Sequence, residues 1–385
     1  MKKWLKIVEI GLISALLLTG CGKGNDQKQD VKTESSQAKV EAEGAVPAET
    51  ATTAAAVDSE AKAELTSAEK IANIDLSKKP NELGQIMVLM YHHIGPEEGE
   101  WTRTPENFKS DLETLYKEGY RPIRLIDYVN NNINIEAGFT PIVITFDDGR
   151  QNNFNYIEKA DGTKEMDPNC AVAIMDAFKK EHPDFGLTAT FFVYGKVPFE
   201  QEAYISEKFN YLVKNGYDIG NHTLDHNDFK SPNSQNAEKI QMYVGKNKNF
   251  IESMITEFPD YQVNTMALPY GHRPKDKNLE KYLYAGSYDG MTYENLAVLN
   301  VGWDPDKSPV SAKFDPQQIH RIRAGVIKVD NVGILDWLES FRKHPERRYI
   351  SDGYPDIVTI KKADEGLVSP KALEGKELNV YEENK

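Results

Sequence analysis

Six short apolar runs, each ending in polar or turn-forming residues, set the terms on which this chain can fold. They span 86–90, 142–146, 189–193, 217–220, 265–268 and 296–301, and helical patterns separate them. Apolar runs alternating with helices predict parallel strands joined by crossover helices, because a parallel pair needs a long return connection. The runs end in Tyr91-His92-His93, Asp147-Asp148-Gly149, Tyr194-Gly195, Asn221-His222, Pro269-Tyr270-Gly271 and Gly302-Trp303-Asp304. In barrels and open parallel sheets the following loops converge at the C-terminal strand ends, so chemistry is expected there. Thr104-Pro105-Glu106 reads as a capped helix start and Gly119 as its stop. Further helices are expected over 169–180, 203–214, 234–256 and 332–342, and a last strand over 357–360 before a charged, loose tail.

Two of these endings carry the chemistry. Side chains alternate along a strand, so Asp147 and Asp148 can serve one site only if the backbone turns between them, which Gly149 permits. Without partners, an Asp-Asp-Gly is an ordinary surface turn. His222-Thr223-Leu224-Asp225-His226 supplies partners: two imidazoles four residues apart lie on one side of a single helical turn and can chelate one cation. Two His and a strand-end carboxylate leave an open position for water on zinc or a similar divalent ion.

The N-terminal region implies a location. Lys2, Lys3 and Lys6 precede an apolar core from Ile7 to Leu18, too short for a comfortable membrane span, and Leu18-Thr19-Gly20-Cys21 closes it. These four residues resemble a bacterial lipobox, which implies a signal peptide over 1–20, acylation of Cys21 and a protein tethered to a membrane facing outward. Residues 21–80 are rich in Gln, Lys, Glu, Ser, Ala and Thr, cannot bury enough apolar surface to offset their ordering entropy, and read as a flexible stalk. The rest divides into a domain over 81–345, long enough for one large core, and a C-terminal piece over 346–385. With Cys21 lipidated, Cys170 has no partner, so no disulfide is expected. The formal charge is −14, and the signal contributes +2 (three Lys against Glu9), leaving about −16. That argues against nucleic acid or anionic phosphate polymers as partners and for a neutral or cationic substrate; a monomer is also expected.

Thr145-Phe146-Asp147-Asp148-Gly149, His222-Thr223-Leu224-Asp225-His226 and Leu268-Pro269-Tyr270-Gly271, preceded by Val88-Leu89-Met90-Tyr91-His92, resemble the motifs of the polysaccharide deacetylase family, the NodB-type carbohydrate esterases. The resemblance runs over about 86–341 and implies an α/β fold, a distorted (β/α) barrel, that removes acetyl groups from a glycan. It implies that Asp148, His222 and His226 hold the metal, that Asp147 is the general base, and that the Tyr270 N–H is the oxyanion donor. Two departures stand out. The family's third motif usually begins with an arginine that orients the base, and this chain has Ala267 there. The late Leu-x-His motif, whose histidine protonates the leaving amine, has no clear copy. His320, His92 and His93 are the candidate acids, Arg321 and Arg273 the candidate arginines, and Asp304 a group that can orient a histidine. Trp101, Tyr194, Trp303 and Tyr288 are candidate sugar-stacking residues.

The expectation is therefore a lipid-tethered, metal-dependent deacetylase of an N-acetylated cell-envelope polysaccharide, peptidoglycan or poly-N-acetylglucosamine in type. A glycan-binding lipoprotein that has lost turnover, and an esterase acting on O-acetyl groups, are the alternatives.

Overall fold

The computed structural model describes residues 65–325 and 333–382. The expected signal peptide, Cys21 and most of the stalk lie outside the described residues. Among the described residues, no helix is long and apolar enough to cross a membrane.

The main sheet holds β1 (Met87–Tyr91), β2 (Tyr120–Pro122), β3 (Thr140–Phe146), β4 (Thr190–Val193), β5 (Asp218–Asn221), β6 (Thr265–Ala267), β7 (Ala297–Leu299) and β8 (Ile322–Arg323). Its order is β7-β6-β5-β4-β3-β1-β8, with β2 beside the first half of β3, and every pairing is parallel. The six runs read from the sequence are six of these strands. The segment leading into β8 also reaches the far edge: Ile319 bridges Leu299 of β7, while Ile322 pairs with Leu89 of β1. The chain thereby joins the two ends of the sheet, and the fold is a distorted (β/α) barrel.

Both faces of the sheet are covered, as parallel sheets require. Met87, Leu89, Ile142, Ile144 and Phe146 point into the layer shared with the helices. Val88, Val143, Phe192, Ala267 and Leu299 fill the inner face. Along β3 the inward series is therefore Val143, Thr145, Asp147, which carries the first acid to the inside of the barrel mouth.

The flanking helices are α1 (Pro105–Lys117), α2 (Ala171–Glu181), α3 (Ile205–Lys214), α4 (Ala237–Met254) and α5 (Ile334–Lys343). In α1 the Thr104 hydroxyl accepts the Asn107 N–H at 3.2 Å, Pro105 occupies the first turn, and Phe108, Asp111, Leu112 and Leu115 form the buried face. Two stretches are more ordered than their composition suggests. Ser67–Ala72, within the expected stalk, is a helix whose Lys70 pairs with Asp356 at 2.7 Å. The C-terminal piece is not a loose tail, since Glu377–Tyr381 pairs in parallel with Ile357–Lys361.

Candidate functional site

A cavity of about 370 Å³ opens at the C-terminal strand ends and is lined by His92, Asp147, Asp148, His222, His226 and Tyr270 among others. With His93, which also lines it, seven of the eight metal, base, oxyanion and acid candidates named from the sequence meet in one place. His320 does not line it. It faces a neighbouring cavity, where its Nδ1 lies 3.1 Å from Asp304 Oδ1.

The turn that brings both acids together starts one residue earlier than expected. Asp148 itself has φ +75, and Gly149 continues at +58. Alternation would send Asp148 to the opposite face from Asp147, and the left-handed step turns it back into the cavity. Gly149 is also needed for space, since a Cβ there would sit 2.8 Å from Val193 Cγ1. The backbone conformation at Asp148 costs on the order of 1 kcal/mol, and such costs concentrate at functional sites.

His222 and His226 converge, but not on a helical turn. Residues after Asn221 form a loop in which Thr223 has φ +66 and His226 φ +50. The helical reading fails because buried side chains dictate the loop. Asn221 Oδ1 accepts the Thr223 N–H at 2.8 Å and an Asn247 amide N–H at 3.0 Å, while Asn247 also donates to Val193 O at 2.9 Å. His222 Nδ1 donates to Ala267 O at 2.8 Å, which leaves the Nε2 lone pair facing Asp148. Ala267, at the position where an arginine was expected, thus supports the histidine through its backbone.

The donor set suits a divalent cation. Asp148 Oδ1 lies 3.5 Å from His222 Nε2 and 3.4 Å from His226 Nε2. These match the edge of a tetrahedron, about 3.4 Å, built on bonds of about 2.1 Å. His226 and Asp148 are each in the charge state that a cation needs. Burial pushes the His226 imidazole down to about 4, so it is neutral at pH 7. Burial would raise the Asp148 carboxyl, but its interaction with His222 and then with the other nearby imidazoles outweighs that and keeps it ionised.

Asp147 lies in drier surroundings. It is 1 % exposed, and its Oδ1 and Oδ2 accept from the two Nη atoms of Arg321 at 2.7 and 2.8 Å. Arg321, fully buried, also donates to Thr145 Oγ1 at 3.2 Å and Asn300 O at 2.8 Å. Burial alone would raise the Asp147 pKa, but the Arg321 charge and then His222 pull it below the ordinary carboxylate value. His92 Nε2 stands 4.0 Å from Asp147 Oδ2, with the ring packed on Trp101 at 4.7 Å between centroids. Its Nδ1 is buried without a hydrogen-bond partner, and burial brings its pKa down to about 4 against the pull of Asp147 and Asp148.

Residues 135–286 match the family model of polysaccharide deacetylase. This segment is a polysaccharide deacetylase domain. Members of that family act on acetylated glycans and generally depend on a divalent metal. The chain also resembles the crystal structure of a polysaccharide deacetylase from Bacillus cereus, at 18 % identity and a TM-score of 0.46 over 67 % of this chain and 69 % of that one. A second likeness is to the Streptococcus pyogenes deacetylase PplD, solved with acetate, at 16 % identity and a TM-score of 0.45 over 67 % and 98 % of the two chains. At these scores both stand as resemblance only. No curated protein is significantly similar to the chain.

In the deacetylase domain the metal-type donors, Asp147 and Tyr270 all fall inside the matched segment, whereas His92 and Arg321 lie on either side of it. Of the two arginines proposed for the vacant role, Arg321 reaches Asp147, and Arg273 instead holds Asn300 Oδ1 and Gln317 O at 2.9 and 2.6 Å. Gly302, read in the sequence only as part of a strand ending, makes room for Arg321: a Cβ there would lie 2.5 Å from Arg321 N and O. Only glycine lets the backbone at Arg321 come this close. Of the aromatics, Trp101 lines the cavity and Tyr194 packs at a tilt against His226, 5.1 Å between ring centroids, while Trp303 lines the neighbouring cavity. Tyr288 sits on an outer hairpin, Ala285–Tyr288 with Met291–Glu294, away from both.

Proposed function

We propose that this protein hydrolyses N-acetyl groups of a cell-envelope or extracellular polysaccharide, peptidoglycan or poly-N-acetylglucosamine in type, with a divalent cation, zinc or cobalt in class, held by Asp148, His222 and His226. The observation that carries the reading is the Arg321–Asp147 pair set beside that donor triad. It supplies the oriented base without which the triad is only a metal site.

A bound cation would polarise the acetyl carbonyl and acidify water. Asp147, held ionised by Arg321, accepts the proton of the attacking water, and the bidentate contact fixes which lone pairs remain to do so. The Tyr270 N–H, on a turn with φ +59, donates to the oxygen that gains charge. His92, neutral in the resting site, takes the proton through its Nε2 from the Asp147 side and passes it to the leaving nitrogen. The proton removed from water therefore ends on the departing amine, and no outside acid is consumed. We further propose that acylated Cys21 tethers the domain outside the membrane and that the stalk provides its reach.

Acetate release from chitooligosaccharides with added zinc or cobalt, compared with Asp147→Asn, tests this reading. No release, with one equivalent of metal still bound, would leave a glycan-binding protein of the same fold. The depressed His92 pKa favours one variant of the enzyme reading, O-acetyl hydrolysis, because an alcohol leaves with less help from an acid than an amine does. Faster release from an acetyl ester than from the amide would select it.

A further inference from the structure

Beside the catalytic cavity lies a second one of about 480 Å³ that the deacetylation chemistry leaves without a task. The turn at Pro269-Tyr270-Gly271 and Val301 form the partition: Tyr270 lines the first cavity, Gly271 the second, and Val301 both. A Cβ on Gly271 would fall 2.9 Å from Val301 Cβ, so turn and side chain are in direct contact. A glycan residue bound over the catalytic groups would have its neighbour at this second cavity, whose size suits a small ligand.

Its charge is opposite to that of the chain. Lys230, Arg273, Lys275 and Lys277 line it against one carboxylate, Asp304, in a chain of net charge −14. Asp304 is engaged by His320 at 3.1 Å and Lys277 by Glu280 at 2.6 Å. Arg273 is held in place by Asn300 and Gln317. Lys230 and Lys275 are exposed and form no ion pair among the described residues. Trp303, half exposed, adds an aromatic wall, and its other side meets Arg323 of the catalytic cavity at 4.8 Å. An aromatic wall with two unpaired ammonium groups suits a sugar ring bearing an anion.

We infer that this cavity is a subsite for an anionic substituent, a carboxylate or a phosphate, on the glycan residue next to the one deacetylated. The inference rests on the deacetylase reading and departs from the neutral substrate that net charge suggests. Net charge acts at long range and is screened within about 10 Å at ordinary salt, whereas a contact is decided by the charges lining it.

The test is calorimetric binding to Asp147→Asn, which needs no turnover. Three N-acetylglucosamine tetramers are compared: neutral, bearing lactyl carboxylates on alternate residues, and phosphorylated on alternate residues. At least one anionic tetramer should bind about fivefold tighter than the neutral one. Adding Lys230→Ala and Lys275→Ala should remove most of that ratio, as should raised salt. Preference for one anion over the other supports the subsite and names its ligand. Equal binding of all three, no binding of any, or a preference that survives both lysine substitutions overturns it. Acetate release by the unsubstituted chain from the neutral tetramer checks the deacetylase reading separately.

Discussion

Asp147 and Asp148 are adjacent in the chain and held by opposite means. Asp148 faces a partly open cavity, is reached through a left-handed backbone step, and has the two imidazoles of His222 and His226 as neighbours. Asp147 is buried on the inner face of the barrel, continues the regular alternation of β3, and has a cation locked to both its oxygens. The lesson is that one short motif can set up two roles when the backbone sends its members into different dielectrics. A carboxylate whose oxygen converges with two imidazole nitrogens suits a cation. A carboxylate neutralised by a buried arginine suits proton transfer, because its orientation is fixed and its charge is already compensated.

The sharpest break of that comparison separates rate from metal content. Asp147→Asn should lower acetate release by about 10²–10⁴-fold, the usual worth of a general base, while zinc stays at one equivalent by atomic absorption. Asp148→Ala should abolish release together with stoichiometric zinc. If both variants lose zinc alike, the division of roles is wrong.

Arg321→Met probes the dry side. Removing one partner of a buried ion pair costs about 3–5 kcal/mol, which chemical denaturation would register. The pH dependence should also invert. With Arg321 present, the folded pKa of Asp147 lies below its unfolded value, so the pair's stabilisation is full above the ordinary Asp value of about 3.9 and fades as pH falls through the lower folded value. Without Arg321, burial dominates and lifts the carboxyl above its unfolded value, so stability then falls as pH rises through that value. The acid limb of kcat/KM should move to higher pH in the same variant. An unmoved limb would mean that Asp147 is not the titrating base.

His92→Ala should cost about 10²-fold in rate on an amide substrate and less on an acetyl ester, as expected of a lost proton donor. His320→Ala should have a much smaller effect on the same amide, since its ring faces Asp304 in the other cavity. The reverse order would return the acid's role to His320.

What was legible in the sequence follows the same divide. The strands were readable because parallel strands buried on both faces are continuous apolar runs, whereas Asp148, His222 and His226 were named together through the likeness of their motifs to a known family. Arg321 could be named only as one of two alternatives. It sits immediately before β8, two residues long, whose pairing with β1 joins positions more than two hundred residues apart, and no local pattern encodes that. The failed helical turn at His222 has a similar cause. Left-handed conformations at Asp148, Thr223, His226 and Tyr270 belong to non-glycine residues, so composition gives no sign of them. The basic cavity escaped because Lys230, the residues around Lys275 and Asp304 come from three separate loops and are diluted in an acidic chain.

The smallest expected effect tests how those strained turns are kept. Asn247, fully buried on α4, donates to Val193 O and to Asn221 Oδ1. The same two oxygens accept the backbone N–H of His222, at 3.0 Å, and of Thr223, at 2.8 Å. The asparagine therefore touches no metal donor yet fixes both acceptors from which the histidine loop hangs. Asn247→Leu keeps the volume and removes the donors, so the loop loses its anchor while β5 and α4 remain packed. Zinc affinity, measured by competition with a chromophoric chelator, should fall about tenfold, the lower range for supporting groups around a metal. Activity should recover at saturating zinc, because Asp147 and Arg321 lie on the other side of the comparison. Unchanged affinity would mean that the barrel alone holds the left-handed turn. A rate deficit that zinc cannot restore would mean that the two carboxylates are not supported independently.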